Sequence, residues 1–396
     1  MLPAFPAQLR AFAGVIVRVG LNLQRGQRLL IAEPYELQGV ARSAEVIVDA
    51  VRAAATEAGC PAVEVIWGDG GRLRQYAEKN DWRGFTSLVA GNARQMQQHL
   101  ARGGAFLFLV GSQPRLLDGI EAARVNELQH LVWQHFGPVV QRLMRGESQW
   151  TIAPAPSPDW AQAVFAEQPS ERRLDALWQT LFSACRCDQP DPVEAWHRHL
   201  GALASDADRR NAQRAATLRY TGPGTDLTVR LPKRHVWCTA AHRTKAGVPF
   251  VQNLPTEEIF TAPDKDSAEG LVRVAQPVSC GGALIDDIEL EFRRGRVVQA
   301  AAKSGADLLQ RLLETDDGAA RLGEVALLPR SGATRAAWQR SGRSFRHPLL
   351  DENSAPHIAL GESYGFCLDS FFTGARNRSL IHVDLPLDAL VSTEPA

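Results

Sequence analysis

Two residues near the end of the chain have the types and the spacing of a metal-binding pair. His382 and Asp384 lie in the segment RSLIHVDLPL, which reads as a β-strand. Residues i and i+2 of a strand project from the same face, so this imidazole and this carboxylate can reach one site together. Imidazole nitrogen and carboxylate oxygen form a mixed ligand set that suits Zn²⁺, Mn²⁺ or Co²⁺.

Three further segments of the second half combine acidic or imidazole side chains with turn residues and short apolar stretches. They are NLPTEEIFTAPD (253–264), DDGAARLGEVALLP (316–329) and LLDENSAPHIALGESYG (349–365). Taken alone, each acid is more readily explained as an exposed residue at a strand end. Together the segments offer two histidines and at least four carboxylates, which is more than a single ion needs. Such a set predicts a site with two metal ions about 3.5–4 Å apart.

Other catalytic and metal-binding patterns are absent or weak. The sequence has no GxxxxGK[ST] phosphate loop, no GxGxxG after the first strand, no GxSxG elbow and no HExxH helix. His197 and His199 are two residues apart on a predicted helix, where they face different sides and do not easily chelate one ion. Cys185 and Cys187 lack a second cysteine pair, which disfavours a zinc site there.

The composition is that of a globular protein and argues against several partners. The 396 residues include 44 basic and 44 acidic side chains, for a formal net charge of +0. Binding to a nucleic-acid backbone usually requires a basic surface, so a nucleic-acid partner is not expected. No apolar stretch approaches the roughly 20 residues of a membrane-spanning helix. The six scattered cysteines favour a reducing compartment, so we expect a cytoplasmic protein without a membrane partner.

The elements that must position these residues change in character near residue 215. Before it, strand-like and helix-like segments alternate: RLLIAEP (28–34), 43–59, AVEVIWGD (62–69), 81–103 and AFLFLVGS (105–112). This alternation predicts βαβ units around a mainly parallel sheet. After residue 215, short β-like segments separated by Gly and Pro predominate, among them the predicted hairpin DDIELEFRRGRVVQ.

The predicted fold class is therefore α/β with two domains. An N-terminal α/β domain with a mainly parallel sheet is expected over residues 1–215. A β-rich α+β domain, which carries the metal site, is expected over residues 216–396. Two segments complete the prediction: APAPSPDW (153–160) as a loop and ADLLQRLLETDDGAARLG (306–323) as a helix.

Four segments of the second half also carry a family resemblance. NLPTEEIFTAPD, LGEVALLP, DENSAPHIALGESY and NRSLIHVDL resemble the successive signature segments of the metallo-aminopeptidase family typified by aminopeptidase T and aminopeptidase S. A looser similarity extends over nearly the whole chain. The resemblance implies removal of N-terminal residues from peptides that have a free N-terminus. It also implies two divalent ions (Zn, Co, Mn or Mg) and a homodimer.

Matched segment by segment, the resemblance implies six metal ligands and a catalytic tyrosine. The ligands are Glu258, Glu324, Glu352, His357, His382 and Asp384. Within the TEE doublet, Glu257 stays open as an alternative to Glu258, because only one of two adjacent strand residues points inward. Tyr364, seven residues beyond His357, would stabilise the oxyanion. Glu257 or Glu324 would act as the general base.

Two other functions remain open. The same superfamily includes an iron-dependent ring-opening dioxygenase, whose site resembles a two-histidine-one-carboxylate set for a single ion. The presence of Glu258, Glu324 and Glu352 together favours two hydrolytic metals over that site. The second alternative is a catalytically decayed homologue, because the segment LPLDAL after Asp384 departs from the family's closing motif.

Overall fold

The computed structural model describes residues 4–33, 39–111, 116–280, 283–329, 332–341, 344–368 and 373–394. The chain forms two compact units, which we describe separately. The first unit comprises Met1–His199, Ala240–Thr256 and Gln339–Arg343, and the second comprises Leu200–Thr239, Glu257–Trp338 and Ser344–Ala396. The division into domains at residue 215 stays a prediction.

The chain up to residue 213 is mostly helical, with short strands between the helices. The helices are α1 (Phe5–Val15), α2 (Glu45–Glu57), α3 (Gly70–Lys79), α4 (Trp82–Ala101), α5 (Ala122–Met144), α6 (Pro158–Val164), α7 (Ser170–Ala184) and α8 (Pro192–Gln213). The strands are β1 (Leu29–Ala32), β2 (Val40–Ala41), β3 (Val63–Val65), β4 (Trp67–Gly68), β5 (Ala105–Val110) and β6 (Trp150–Pro154). None of the described helices is both long and apolar enough to cross a membrane.

Strands predominate in the rest of the chain. They are β7 (Thr217–Gly222), β8 (Thr225–Arg230), β9 (Ala241–Arg243), β10 (Pro249–Val251), β11 (Ile259–Thr261), β12 (Glu269–Arg273), β13 (Val278–Cys280), β14 (Ala283–Ile285), β15 (Glu289–Arg293), β16 (Arg296–Ala301), β17 (Leu322–Leu327), β18 (His357–Gly361), β19 (His382–Pro386) and β20 (Leu390–Glu394). The helices in this part are α9 (Ala306–Leu313), α10 (Ala333–Ser341) and α11 (Pro348–Glu352).

The first unit is built on a parallel four-stranded sheet of order β3-β1-β5-β6. Every residue of β1 and β5 is buried, as expected for parallel strands with both faces covered. The predicted βαβ pattern is therefore confirmed. The loop prediction for residues 153–160 is wrong at both ends, because α6 begins at Pro158 and β6 runs to Pro154. This proline ends the edge strand of the sheet, where a missing N–H donor is tolerated.

The second unit contains two larger antiparallel sheets, of order β16-β15-β12-β8-β7-β20 and β11-β17-β18-β19. The predicted hairpin is present as β15 and β16. Its turn residues Arg294 and Gly295 have φ values of 49° and 76°, the left-handed conformation that a type I′ turn requires. The helix predicted over 306–323 is too long. α9 ends at Leu313, and β17 begins at Leu322 after an intervening turn.

A hydrogen-bond network fixes the segment that leads into β19. The carboxylate of Asp316 accepts bonds from the Ser379 hydroxyl at 2.8 Å and from the Leu380 backbone N–H at 2.7 Å. The buried Asn377 side chain donates to the carbonyl oxygen of Gly361, at the end of β18, at 2.6 Å. Residues immediately before His382 are thereby tied both to the turn that precedes β17 and to the neighbouring strand.

We expect Asp316→Ala to lower the free energy of unfolding by about 1–3 kcal/mol, because several donors lose their shared acceptor. The exposed neighbour Asp317, whose backbone carbonyl accepts a bond from Arg296, is the matched control. Asp317→Ala should change stability by less than about 0.5 kcal/mol. Urea denaturation of both variants measures the difference. Equal effects of the two substitutions would contradict the anchoring role of Asp316.

Candidate metal centre

Three adjacent strands, β17, β18 and β19, present one common face. Glu324, Ala359 and Asp384 lie opposite one another in a row across them. Side chains directly opposite each other on neighbouring strands project to the same side. His357 is two residues from Ala359, and His382 is two residues from Asp384, so both imidazoles share that face. The small side chain of Ala359 leaves room between the carboxylates of the two outer strands.

A β-bulge turns Glu324 onto this face. The pairing of β17 with β18 shifts by one residue at Gly323, so that Glu324 lies opposite Ala359. Without the shift, Glu324 would lie opposite Ile358, whose side chain points to the other side of the sheet. Glycine is required at the bulge because a Cβ at Gly323 would lie 2.4 Å from the carbonyl oxygen of Glu362.

Glu324 lies between the two histidines of the cluster. Its Oε1 is 3.4 Å from Nε2 of His357, and its Oε2 is 3.7 Å from Nε2 of His382. Oδ1 of Asp384 is 3.5 Å from Nε2 of His382, and Oε2 of Glu258 is 3.1 Å from Nε2 of His357. The side chains form two groups that share Glu324, each with ligand atoms within 4.8 Å of one another: Glu258, Glu324 and His357, and Glu324, His382 and Asp384.

The two glutamates of the TEE doublet point in different directions. Glu258 faces the cluster, immediately before β11. The buried carboxylate of Glu257 accepts hydrogen bonds from the backbone N–H groups of Ala333 and Thr334 at 3.1 and 3.3 Å. These amides begin α10, where the helix dipole favours a negative charge. The geometry therefore brings Glu258 to the other predicted ligands and directs Glu257 to the start of α10.

Glu352 reaches the cluster from the short helix α11. The side chain is buried, and its carboxyl group is hydrogen-bonded with that of Asp384. The Nδ2 group of Asn353 donates to Oε1 of Glu352 at 3.2 Å. The second unit thus brings all six predicted ligands together, although their role as metal ligands stays a prediction.

Burial and neighbouring charges control the ionisation of the cluster. Burial raises the pKa of Glu258 to about 8, with the carboxylates of Glu324 and Asp384 adding to the rise. Burial also raises the pKa of Glu352 well above its usual range.

The two imidazoles of the cluster respond mainly to the carboxylates around them. Burial by itself lowers the pKa of His357, but Glu258 and Glu324 outweigh it and raise the value to about 10. For His382, burial is likewise outweighed, chiefly by Asp384, and the pKa rises to about 9. Conversely, the charge of His382 overcomes burial and holds the pKa of Asp384 below its usual range. The cluster therefore keeps protons that a divalent cation would displace on binding.

The donor atoms suit a divalent cation. Oε2 of Glu258 and Oε2 of Glu324 are buried, and apart from their ion-pair contacts neither has a hydrogen-bond partner among the described residues. Buried carboxylate oxygens without partners are unfavourable, and a bound cation would satisfy them. Nδ1 of His382 donates to the carbonyl oxygen of Glu362 at 2.8 Å, so Nε2 is the nitrogen that faces Glu324 and would coordinate a cation once its proton is displaced.

Tyr364 lies beside the cluster, directly after β18. Its ring centroid is 4.9 Å from that of His382, and it is stacked on Phe366 at 5.4 Å with an interplanar angle of 8°. Phe260 of β11 packs edge-on against Tyr364, with ring centroids 5.7 Å apart. The predicted catalytic tyrosine is thus held at the edge of this cluster of carboxylates and imidazoles by aromatic contacts.

Sequence reasoning missed three residues that shape the cluster. Gly323 forms the bulge, and Asn353 contacts Glu352. Tyr220 of β7 is fully buried, its hydroxyl has no hydrogen-bond partner among the described residues, and burial followed by the charge of Glu324 raises its pKa. Gly323 and Asn353 each adjoin a predicted ligand, which is a signal that could have identified them. Tyr220 is more than 100 positions from Glu324 in the sequence, which offers no such signal.

Known proteins resemble this chain in sequence and in fold. Aminopeptidase T of Thermus thermophilus is 37% identical, over 97% of this chain and 93% of that protein. Aminopeptidase AmpS of Bacillus subtilis is 33% identical, over 97% of this chain and 93% of that protein. The solved structure of wild-type AmpT from Thermus thermophilus superimposes with a TM-score of 0.88 at 34% identity, covering 98% of this chain and 96% of that one.

The family described as thermophilic metalloprotease (M29) matches residues 5–390. That span contains every predicted ligand, both candidate bases and Tyr364. With relatives above 30% identity along nearly the whole chain, the chain belongs to the thermophilic metalloprotease family M29.

Proposed function

We propose that this chain is an aminopeptidase whose six clustered side chains hold two divalent metal ions. The family and the named relatives support a metal-dependent peptidase. One observation supports the proposal of a second ion. The two carboxylate oxygens of Glu324 face different histidines, at 3.4 and 3.7 Å. A carboxylate between two nitrogen ligands would let Glu324 contribute to both ligand groups, so that each group could hold one cation. When bound, such a pair acidifies a water molecule and polarises the scissile carbonyl.

The remaining chemistry belongs to side chains around the cluster. The phenol of Tyr364 donates a hydrogen bond to the oxyanion that forms on the substrate. Glu257 or Glu324 takes a proton from the attacking water and passes it to the leaving amine. The amide contacts of Glu257 direct its carboxylate to the start of α10, whereas Glu324 faces the site; Glu324 takes this role only with one of its two oxygens free of metal. The free α-amino group of the peptide is held by an acidic side chain or by a metal, which restricts cleavage to the N-terminal bond.

The alternatives make different demands on the site. A ring-opening dioxygenase needs one redox iron with open positions, whereas the cluster offers four carboxylates and two imidazoles. The relatives with 33–37% identity are named as aminopeptidases. A decayed enzyme would have no reason to keep the Oε2 atoms of Glu258 and Glu324 buried, where neither has a hydrogen-bond partner among the described residues. We further propose that the protein is cytoplasmic and forms a homodimer. Size-exclusion chromatography with light scattering would test the homodimer.

The first prediction concerns metal content. We expect two divalent ions per chain by elemental analysis and cleavage of leucine-p-nitroanilide that is lost on chelation. Glu324→Gln should release at least one ion, because Glu324 contributes to both ligand groups. Exposed Glu314 is the control, and Glu314→Gln should retain both ions. A single iron with consumption of O₂ would favour the dioxygenase. Wild-type turnover no higher than that of Glu324→Gln would indicate a decayed enzyme.

The second prediction separates the two candidate bases. Glu257→Gln keeps an oxygen that can accept from the amides of Ala333 and Thr334, so we expect its kcat to stay within about tenfold of wild type. Loss of a general base typically lowers the rate by about 10²–10⁴-fold. If kcat of Glu257→Gln falls by that much while its metal content is unchanged, the base is Glu257.

The third prediction concerns Tyr364. Removal of its hydroxyl in Tyr364→Phe should lower kcat by about 10²–10³-fold and leave KM nearly unchanged, because the bond forms only in the transition state. The ring and its stacking on Phe366 are kept. Tyr76→Phe, at a buried tyrosine of the first unit, is the control and should show wild-type kinetics. An equal loss in both variants, or none in Tyr364→Phe, would refute the assignment.

A further inference from the structure

We infer that Asn353 is a positioning residue of the metal site, which fixes Glu352 and Glu258 relative to each other. The inference rests on the proposed function, since it concerns residues proposed as metal ligands. Asn353 is fully buried and follows Glu352 at the end of α11. It contacts no substrate in this proposal and acts through the two glutamates.

Both the oxygen and the nitrogen of the Asn353 side-chain amide form hydrogen bonds. Oδ1 accepts a hydrogen bond of 2.7 Å from the backbone N–H of Glu257. Nδ2 donates to the carbonyl oxygen of Leu349 at 2.8 Å and to Oε1 of Glu352 at 3.2 Å. Its partners fix the orientation of the amide, because only the oxygen can accept from an N–H and only the nitrogen can donate to a carbonyl.

The first consequence concerns the TEE doublet. A bond to the N–H of Glu257 fixes the backbone one residue before Glu258. Successive residues of an extended segment project to opposite sides, so the direction of Glu257 determines that of Glu258. The bond therefore supports the arrangement in which Glu257 reaches α10 and Glu258 reaches His357.

The second consequence concerns Glu352. The Nδ2 donor of Asn353 fixes the position of Oε1 of Glu352. The bond to Leu349 anchors the same amide on the backbone of α11, so the carboxylate is held relative to its own helix. Asn353 thus links two ligands that are 94 positions apart in the sequence.

The test compares metal affinity in two neighbouring variants. Asn353→Ser removes all three hydrogen bonds of the amide without adding charge or bulk. Loss of a residue that orients a metal ligand typically weakens affinity by about 10–100-fold. Calorimetric titration of the metal-free protein with Zn²⁺, and the visible spectrum with Co²⁺, should show that weakening. Ser354→Ala is the matched control: Ser354 is also buried and donates to the carbonyl oxygen of Asp351. Its affinities should equal those of wild type.

A double-mutant cycle separates positioning from general destabilisation. If Asn353 acts through Glu352, Asn353→Ser should weaken Zn²⁺ binding clearly less in a Glu352→Gln background than in wild type. Additive losses would overturn the inference. Asn353→Asp, which has nearly the same shape and can still accept from the Glu257 N–H, supplies a second variant if Asn353→Ser does not fold. It should weaken Zn²⁺ binding by a similar factor.

The outcomes distinguish this inference from the proposed function. Wild-type Zn²⁺ affinity in the Asn353 variants would overturn the inference and leave the two-metal aminopeptidase intact. Equal losses in Asn353→Ser and Ser354→Ala would also overturn it, since the effect would belong to the whole turn. Failure of the wild-type protein to bind Zn²⁺ or Co²⁺ would overturn both.

Discussion

The repulsion among buried carboxylates is the constraint on which the second unit depends. Four carboxyl groups are brought together where water is largely excluded: those of Glu258, Glu324, Glu352 and Asp384. The two imidazoles neutralise this charge only if the cluster retains protons. Like charges at such distances in a medium of low polarity are strongly unfavourable. The retained protons relieve this repulsion in the metal-free site, and on the proposed function cations would take their place. On the proposed function, metal binding and the stability of this unit are thermodynamically linked.

The rest of the unit is arranged to meet that constraint. The antiparallel sheet β11-β17-β18-β19 supplies a rigid face, and the small side chain of Ala359 makes space at its centre. The turn at Asp316 and the amide of Asn377 hold the segment before His382. Glu257 and Asn353 fix the residues that precede β11 and the end of α11. Hydrogen-bonded neighbours thus support Glu258, Glu352 and the segment that leads to His382, as the precise geometry of a metal site requires.

The sequence was most informative where chemistry coincides with periodicity. The HxD spacing sufficed to place His382 and Asp384 on one face, and the alternating apolar segments correctly indicated a parallel sheet in the first half. Periodicity could not decide between Glu257 and Glu258, because that choice depends on contacts with Asn353 and α10 from distant parts of the chain. The end of β6 was not predicted because it contains Pro154. Proline usually indicates a loop, although an edge strand tolerates it. Tyr220 comes close enough for the charge of Glu324 to raise its pKa only through tertiary folding.

The bulge at Gly323 has a consequence for how related sequences are read. A homologue that lacks this one residue would still align with every ligand in place, and its overall identity would hardly change. Its Glu324 equivalent would nevertheless project from the opposite side of the sheet, away from both imidazoles. Whether a homologue keeps the site therefore depends on the number of residues in this strand as well as on the identity of its side chains. A deletion at this position would mark homologues that keep the six residue types but not their common face. A comparison of the six residue types alone would not detect this difference.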